Sequence, residues 1–516
     1  MPPSAFTTAA AVCFCGRRLR ARSILALAAL LVFAAEARQS VGYFNFDEYC
    51  HPIEFASYKL GLTPASELNP EFGFRMRPFL QPAAYALVAR GLSAAGLEDP
   101  GAALLAFRLG GALFAWAALC LLAAALARRL PGEAERTKLF AACLLAWYLP
   151  FLSVRTSQEN LSGSLLAVGL ALFLLLERRL ALAALSAGLA LGLSFDVRYQ
   201  SVLAAAGFLG WLALVRRPGA RGVAAFAGGF LAAVALGLAV DAWGYGAWTL
   251  TPWNYVRVNL LEGRADQFGR FPVTYYLVQL LVAHPPLSAL LLAAAVLFFV
   301  RAPKDPITWL AVPFLAGHTL LAHKELRFLF PLGPLAAAIP PLLLFDPAIR
   351  LEGLRGWLAR HRAATVGVVA LNFAFLGALL LVPVRHDLSV QIALRRDLER
   401  EPDAEVVLLK GARLSEPCPV VFLRPRGFSP KSAATWSEVS ELVRGTERPV
   451  RVVARLADLP PEPFREAHRP RLVAAPLPEG VARLLARPIG RTEMLALWSL
   501  EKRPLAGAAR SGEKGL

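Results

Sequence analysis

The sequence predicts an all-α polytopic membrane protein that ends in a small soluble α/β domain, and three observations carry that prediction. Of the 516 residues, 56% are hydrophobic and 18% charged, and the mean hydropathy of +0.50 lies outside the range of soluble domains. Apolar runs near the roughly 20 residues needed to cross a bilayer recur up to about residue 384 and then stop. The basic residues behind the net charge of +18 sit in short blocks between those runs, as cytoplasmic loops do under the positive-inside rule. No basic stripe with interleaved aromatics occurs, so nucleic acid is not an expected partner.

The first element follows Arg17, Arg18, Arg20 and Arg22, which precede an apolar run from Ser23 to Ala35. A secretory signal shares that order, but no clean small-residue cleavage site follows, so the run reads as an uncleaved first span with a cytoplasmic N-terminus. Further runs lie near 102–127, 139–153, 161–176, 180–195, 200–215, 222–242, 285–300, 307–322, 328–345 and 363–384. With 23–39, they give about 11 transmembrane helices.

Alternate loops differ in charge. One set holds Arg128, Arg129, Arg136 and Lys138; Arg178 and Arg179; Arg216, Arg217 and Arg221; Arg301 and Lys304; and Arg350, Arg355, Arg360 and Arg362. These are expected inside. The opposite set, 40–101, 154–160, 196–199, 243–284 and 323–327, carries carboxylates, aromatics and single cations, and is expected on the extracytoplasmic face. An odd number of spans places the tail on that face too.

The tail, 385–516, loses the long apolar runs. Its β-prone segments Glu405–Lys410, Pro419–Leu423 and Pro449–Val453 alternate with Pro-rich turns and a polar helical pattern, Ser437–Arg444. Two domains are expected, 1–384 in the membrane and 385–516 outside it, with disorder from Gly512 to Leu516. The six cysteines are scattered without zinc spacing, and a disulfide framework is not expected.

The candidate site residues all fall on the one loop set. His323-Lys324-Glu325-Leu326-Arg327 packs four ionisable groups where an apolar stretch begins, a position that suits anion binding and proton handling. The first loop opens with Phe46-Asp47-Glu48-Tyr49. Adjacent side chains diverge, so Asp47 and Glu48 are not a facing carboxylate pair. Asp47 either points into a site or caps the helix expected over Glu48–Leu60. Arg75 and Arg77 precede an amphipathic run to Gly91 and suit either snorkelling to headgroups or contact with a lipid phosphate. The turn Val154–Asn160 reads equally as a helix cap and as a site around Arg155. Asp196 and Arg198 read as a structural ion pair. The stretch Asp241–Phe271, with Tyr245, Trp253, Asn254 and Tyr255, suits either an interfacial aromatic belt or a sugar platform.

Taken in order, these segments resemble glycosyltransferase family 22, the α-mannosyltransferases of lipid-linked oligosaccharide and glycosylphosphatidylinositol-anchor assembly. The resemblance covers roughly residues 40–335. It is carried by Asp47-Glu48, by Arg75 or Arg77 leading into Pro82, by Arg155-Thr156, by Asp241, Tyr245 and Gly246 with Leu250–Asn254, and by His323–Pro331. The last two motifs are the specific ones. Phe46 stands where eukaryotic members have Pro, and Leu332-Gly333-Pro334 departs from an aromatic residue followed by Pro, which points to a bacterial member in an inner membrane.

The resemblance implies a GT-C fold, an inverting displacement, a hexose donor (mannose) carried on a polyprenyl phosphate, and a glycan or glycolipid acceptor. It implies Asp47 as base, assisted by Glu48. His323, Lys324 and Arg327, with Arg155 and Arg75 and more weakly Arg198, would hold the donor phosphate. Asp241, Tyr245, Trp253 and Asn254 would contact substrate. If 323–327 opened a helix, His323 and Arg327 would share one face and Glu325 would turn away toward Lys324. A lipid monophosphate leaving group is manageable by cationic side chains alone, and no Asp-x-Asp occurs, so no metal and no cofactor are expected. A transporter or flippase of lipid-linked glycans would place ionisable groups near mid-membrane and show internal repeats, neither of which the sequence offers. A ligase using the same lipid donor stays open.

Overall fold

A computed structural model of the chain describes residues 5–349, 351–381, 387–410, 428–455, 458–475 and 495–500, with positions 412, 414 and 422, and gives the backbone alone for 5–20. It divides into two compact units. One comprises Met1–Ser40, Asp47–Gly96 and Leu104–Val382; the other comprises Val41–Phe46, Leu97–Ala103 and Pro383–Leu516.

The first unit is helical. Its long helices are α1 (Ala5–Gln39), α2 (Pro100–Ala127), α3 (Gln158–Leu175), α4 (Leu180–Val197), α5 (Tyr199–Arg216, opening in a 3-10 turn and closing in a π-turn), α6 (Gly219–Tyr245), α7 (Leu287–Arg301), α8 (Pro306–Leu320), α9 (Gly333–Phe345) and α10 (Arg362–Leu381). Among the described residues, seven helical segments are long and apolar enough to cross a membrane: α2 to α6, the segment Leu326–Phe345 that ends in α9, and α10. The α7–α8 pair, bent by 117°, makes an eighth if it counts as one span.

The expected count of about 11 is therefore reduced. The run 23–39 lies in α1, where the apolar stretch closes on Glu36 and Arg38. The run 139–153 is broken into Glu133–Leu145 and Leu149–Ser153. A helix of 13 residues covers about 20 Å, short of a hydrocarbon core of about 30 Å.

Local chemistry starts and joins these helices. Ser157 caps α3 by accepting from the Asn160 amide at 3.4 Å, and Asp305 caps α8 by accepting from Ile307 at 2.9 Å with Pro306 in the first turn. Helices α4 and α6 pack backbone to backbone, because a Cβ at Gly188 would collide with the main chain of Phe226 and one at Gly229 with that of Leu185. Small residues at such crossings let helices approach where lipid offers no hydrophobic drive. Large apolar side chains such as Leu231 and Val366 face outward.

Ion pairs sort the loops into two ends. At one end Arg129 bridges Asp305 and Asp346, each at 2.6 Å, and Arg22 meets Glu133 at 3.0 Å. At the other, Arg327 reaches Asp47 at 2.6 Å and Glu159 at 3.1 Å, and Arg198 reaches Glu159 at 2.7 Å. The first end is the basic one in the sequence.

The second unit holds a five-stranded mixed sheet of β1 (Glu405–Leu409), β2 (Lys431–Ala433), β3 (Val450–Arg455), β4 (Arg471–Ala474) and β5 (Leu495–Leu500) in the order β2-β1-β3-β5-β4. The β1 strand is parallel to β2 and β3, and β5 is antiparallel to β3 and β4. Val407, Val452 and Trp498 share its apolar core with Val439 of the helix Trp436–Arg444. Two expected strands are present; the third, 419–423, lies outside the described residues apart from Phe422, as does 512–516.

One expectation from the cysteines is corrected. Cys50 is disulfide-bonded, while Cys120 and Cys143 are free.

Candidate active site

The first loop enters the site through an irregular helix. Asp47 and Glu48 begin a turn that widens into a π-helix over Tyr49–Ile53, where Pro52 lacks an amide hydrogen, before α-helix resumes at Glu54–Lys59. Asp47 points into the site rather than only capping this turn. Its Oδ2 accepts from Arg327 Nη2 at 2.6 Å, and its Oδ1 stands 3.7 Å from His51 Nδ1. Burial pushes the Asp47 carboxyl up, but Arg327, then His51 and Arg77, outweigh it and hold it below the ordinary carboxylate value.

Arg327 is the hub. Besides Asp47 it donates from Nε to Glu325 Oε2 at 2.6 Å, from Nη2 to Glu325 Oε1 at 2.9 Å, and from Nη1 to Glu159 Oε1 at 3.1 Å. The motif does not open a helix at His323. Glu325 is extended, with φ −135° and ψ 144°, and a 3-10 turn begins only at Leu326. Glu325 therefore does not turn away toward Lys324 but links Arg327 to His323 Nε2, 3.1 Å away. Burial pushes Glu325 up, yet its bonds to His323 and Arg327 bring it down to about 2. The Glu325 bond raises His323 above its ordinary 6.5, burial opposing. Lys324 is buried and donates to the carbonyls of Phe271, at 3.0 Å, and Leu321.

Arg198 does not pair with Asp196 as expected. It reaches across to Glu159, lies 5.0 Å over the Phe328 ring, and among the described residues its Nε and Nη2 have no hydrogen-bond partner. Arg155 is buried, donates to the Ser40 carbonyl at 2.8 Å and hydroxyl at 2.6 Å, and stands 4.0 Å from Glu48.

In the loop around residue 75, the backbone decides which arginine turns inward. Arg75 has a left-handed φ of 50° and is exposed. Arg77 is turned in, donating to Glu71 at 2.6 and 3.1 Å, and Glu71 contacts His51 Nε2. Burial pushes Glu71 up, but Arg77 and His51 hold it far below the carboxylate range. Asp241 and Tyr245 hold this loop: Asp241 Oδ1 accepts from the Phe79 amide at 2.7 Å, and Tyr245 exchanges bonds with the Arg77 backbone at 2.9 and 3.3 Å. Asn254 donates to the Arg75 carbonyl at 3.1 Å, and Trp253 is exposed.

With this geometry in view, a family model described as the Alg9-like mannosyltransferase family matches residues 24–396. The chain belongs to that family. Curated relatives include mannosyltransferase APTG1 of Arabidopsis thaliana, 28% identical over 18% of this chain and 16% of its own, and GPI alpha-1,2-mannosyltransferase 3 of Danio rerio, 30% identical over 27% and 24%. The chain thus spans a quarter or less of the length of these relatives. Among solved structures, ArnT from Cupriavidus metallidurans is similar over 92% of this chain and 97% of its own, at 12% identity and a TM-score of 0.53. The GT-C fold expected from the sequence is therefore present.

Within this Alg9-like chain, the structure joins Asp47 to the His323–Arg327 motif and brings Arg198 to the same cluster. It does not bring Arg75 there. Sequence reading passed over His51, Glu71 and Glu159, each a lone polar residue beside a named motif; Glu159 was visible only as part of the Arg155 turn. The assembled cluster sets the part-buried carboxylate of Asp47 next to alternating cations and anions, an arrangement fit to accept a proton beside a departing anion.

Proposed function

We propose that the chain is an inverting α-mannosyltransferase that moves mannose from a polyprenyl-phosphate-linked donor to a hydroxyl of a glycan or glycolipid, on the extracytoplasmic face of a bacterial cytoplasmic membrane. The observation that carries this reading is the Asp47–Arg327 pair at 2.6 Å, which sets a candidate base beside the cation of a phosphate-type motif. Family membership and the GPI mannosyltransferase relatives support the sugar. The fold neighbour ArnT was crystallised with undecaprenyl phosphate, a lipid of the proposed donor class.

In the reaction, the acceptor oxygen attacks the anomeric carbon as the bond to the lipid phosphate breaks. Asp47 takes the hydroxyl proton and the phosphate leaves with the bonding electrons. Glu48 lies alongside, close to Arg155. Arg198 has donors to spare for the leaving phosphate, Arg327 and His323 complete its cationic side, and Lys324 sits in the same motif. Asp241, Tyr245 and Asn254 shape the loop that faces the sugar. These side chains supply the positive charge a monophosphate needs, so no metal is invoked. The basic end of the bundle supports a cytoplasmic assignment for that end, and the Cys50 disulfide supports an oxidising compartment for the first loop.

The test uses membranes carrying the protein and radiolabelled polyprenyl-phosphate mannose. Label is expected in a lipid or glycan product, unchanged by EDTA and lost in Asp47→Asn. Undiminished transfer by that variant removes the base assignment; transfer from a nucleotide sugar but not from the lipid removes the donor class.

A further inference from the structure

His318 stands in the last turn of α8 with 1% of its surface exposed. Its Nδ1 lies 2.8 Å from the Phe314 carbonyl, and since a carbonyl oxygen only accepts, Nδ1 carries the hydrogen and donates it. Its Nε2 has no hydrogen-bond partner among the described residues. Burial and the charge of the neighbouring Arg198 both disfavour a second cation here, so the ring is neutral and Nε2 presents a bare lone pair. Packing alone does not account for this residue. The ring sits on Phe314 with centroids 4.2 Å apart, a contact that phenylalanine would make without stripping water from a nitrogen.

Arg198 is the complementary case. It is 4% exposed, its Nη1 donates to Glu159 at 2.7 Å, and its Nε and Nη2 have no partner among the described residues. The Phe328 ring joins the two residues. The Arg198 guanidinium lies 5.0 Å from its centre and the His318 ring 6.2 Å, while Arg327 and His323 stand at 5.2 and 5.6 Å. Two unpaired donors and one unpaired acceptor thus border one aromatic ring, beside the arginine that holds Asp47.

From this geometry we propose that His318 binds the donor sugar, its Nε2 accepting a hydrogen bond from the hydroxyl on C2, the carbon next to the anomeric one. The inference rests on the reading of the donor as polyprenyl-phosphate mannose. A glycosyl phosphate carries the matching groups, anionic oxygens for the Arg198 donors and a hydroxyl hydrogen for Nε2. A bare phosphate dianion would bring only acceptors to that lone pair. Because the phosphate is bonded at C1, the C2 hydroxyl is the ring hydroxyl nearest to it. Mannose and glucose differ in the orientation of that hydroxyl alone, so a fixed buried lone pair there selects between them. Sites built to pair a hydroxyl reject the analogue without it far more strongly than apolar pockets do.

The test compares polyprenyl-phosphate mannose with its 2-deoxy analogue in membranes carrying the wild type or His318→Asn. The asparagine amide nitrogen takes the place of Nδ1 toward the Phe314 carbonyl and leaves nothing at Nε2. The ratio of kcat/KM for the mannosyl over the deoxy donor is expected to fall about 30-fold from wild type to variant, the intrinsic reactivities of the two sugars cancelling in that comparison. An unchanged ratio, including an equal loss on both donors, overturns the assignment. If His318→Asn does not accumulate in membranes, His318→Phe, which keeps a ring on Phe314, is read by the same ratio and decides in the same way. Wild type that transfers nothing from the mannosyl donor removes the donor reading and the inference together, whereas normal wild-type transfer with an unchanged ratio in the variant removes the His318 inference alone.

Discussion

In the His323–Arg327 motif, His323 is a group whose charge changes above its ordinary value. Its bond to Glu325 raises its pKa above 6.5, so the imidazolium, and any stability it adds, is fully present below that value and is lost as pH rises through the higher folded value. Donor KM is therefore expected to rise on the alkaline side, and His323→Gln to flatten that limb; a limb that persists in the variant assigns it elsewhere. Asp47 is held below its ordinary value and stays ionised across the same window, so it contributes no competing acid limb there. At this scale the sequence motifs named Asp47 and Arg327 because both belong to dense patterns. Arg77 could not be separated from Arg75 by pattern, since the choice depends on a single left-handed residue.

Glu159 and Arg327 meet because two elements touch closely. Gly163, one turn beyond Glu159 on α3, packs against the 3-10 segment Leu326–Leu332, and a Cβ there would lie 2.8 Å from both Cα and O of Pro331. Gly163→Ala is expected to destabilise the fold by about 1–3 kcal/mol and to lower transfer by parting the two side chains. Gly367→Ala, in open space on α10, is the control, and thermal melting in detergent with the transfer assay reads both. Equal melting and transfer in the two variants would show that this contact does not position the motif. The helix expected over 323–327 failed for a reason of the same kind: the extended Glu325 lets its carboxylate reach both His323 and Arg327, which a helical turn would have sent apart.

For the whole molecule, hydropathy located the long helices to within a few residues because burial in lipid demands continuous apolar runs. It overcounted where helices are short or broken, as at 139–153, since an apolar run does not say how long the helix stays straight. Loop charge also separated the two ends that the ion pairs separate. The sidedness itself is testable: a cysteine in place of Trp248, which is 80% exposed, should react with an impermeant thiol reagent from outside intact cells, and one in place of Arg217 only after lysis; the reverse pattern inverts the topology. The ion pairs also bear on motion. Arg129 staples loops 128–138, 301–305 and 346 at one end, while Arg327, Glu159 and Arg198 staple helices at the other. A carrier needs one end to gape while the opposite end shuts. With both ends pinned, the bundle is expected not to alternate, so liposomes containing it should show no passage of lipid-linked glycan between leaflets above that of empty ones.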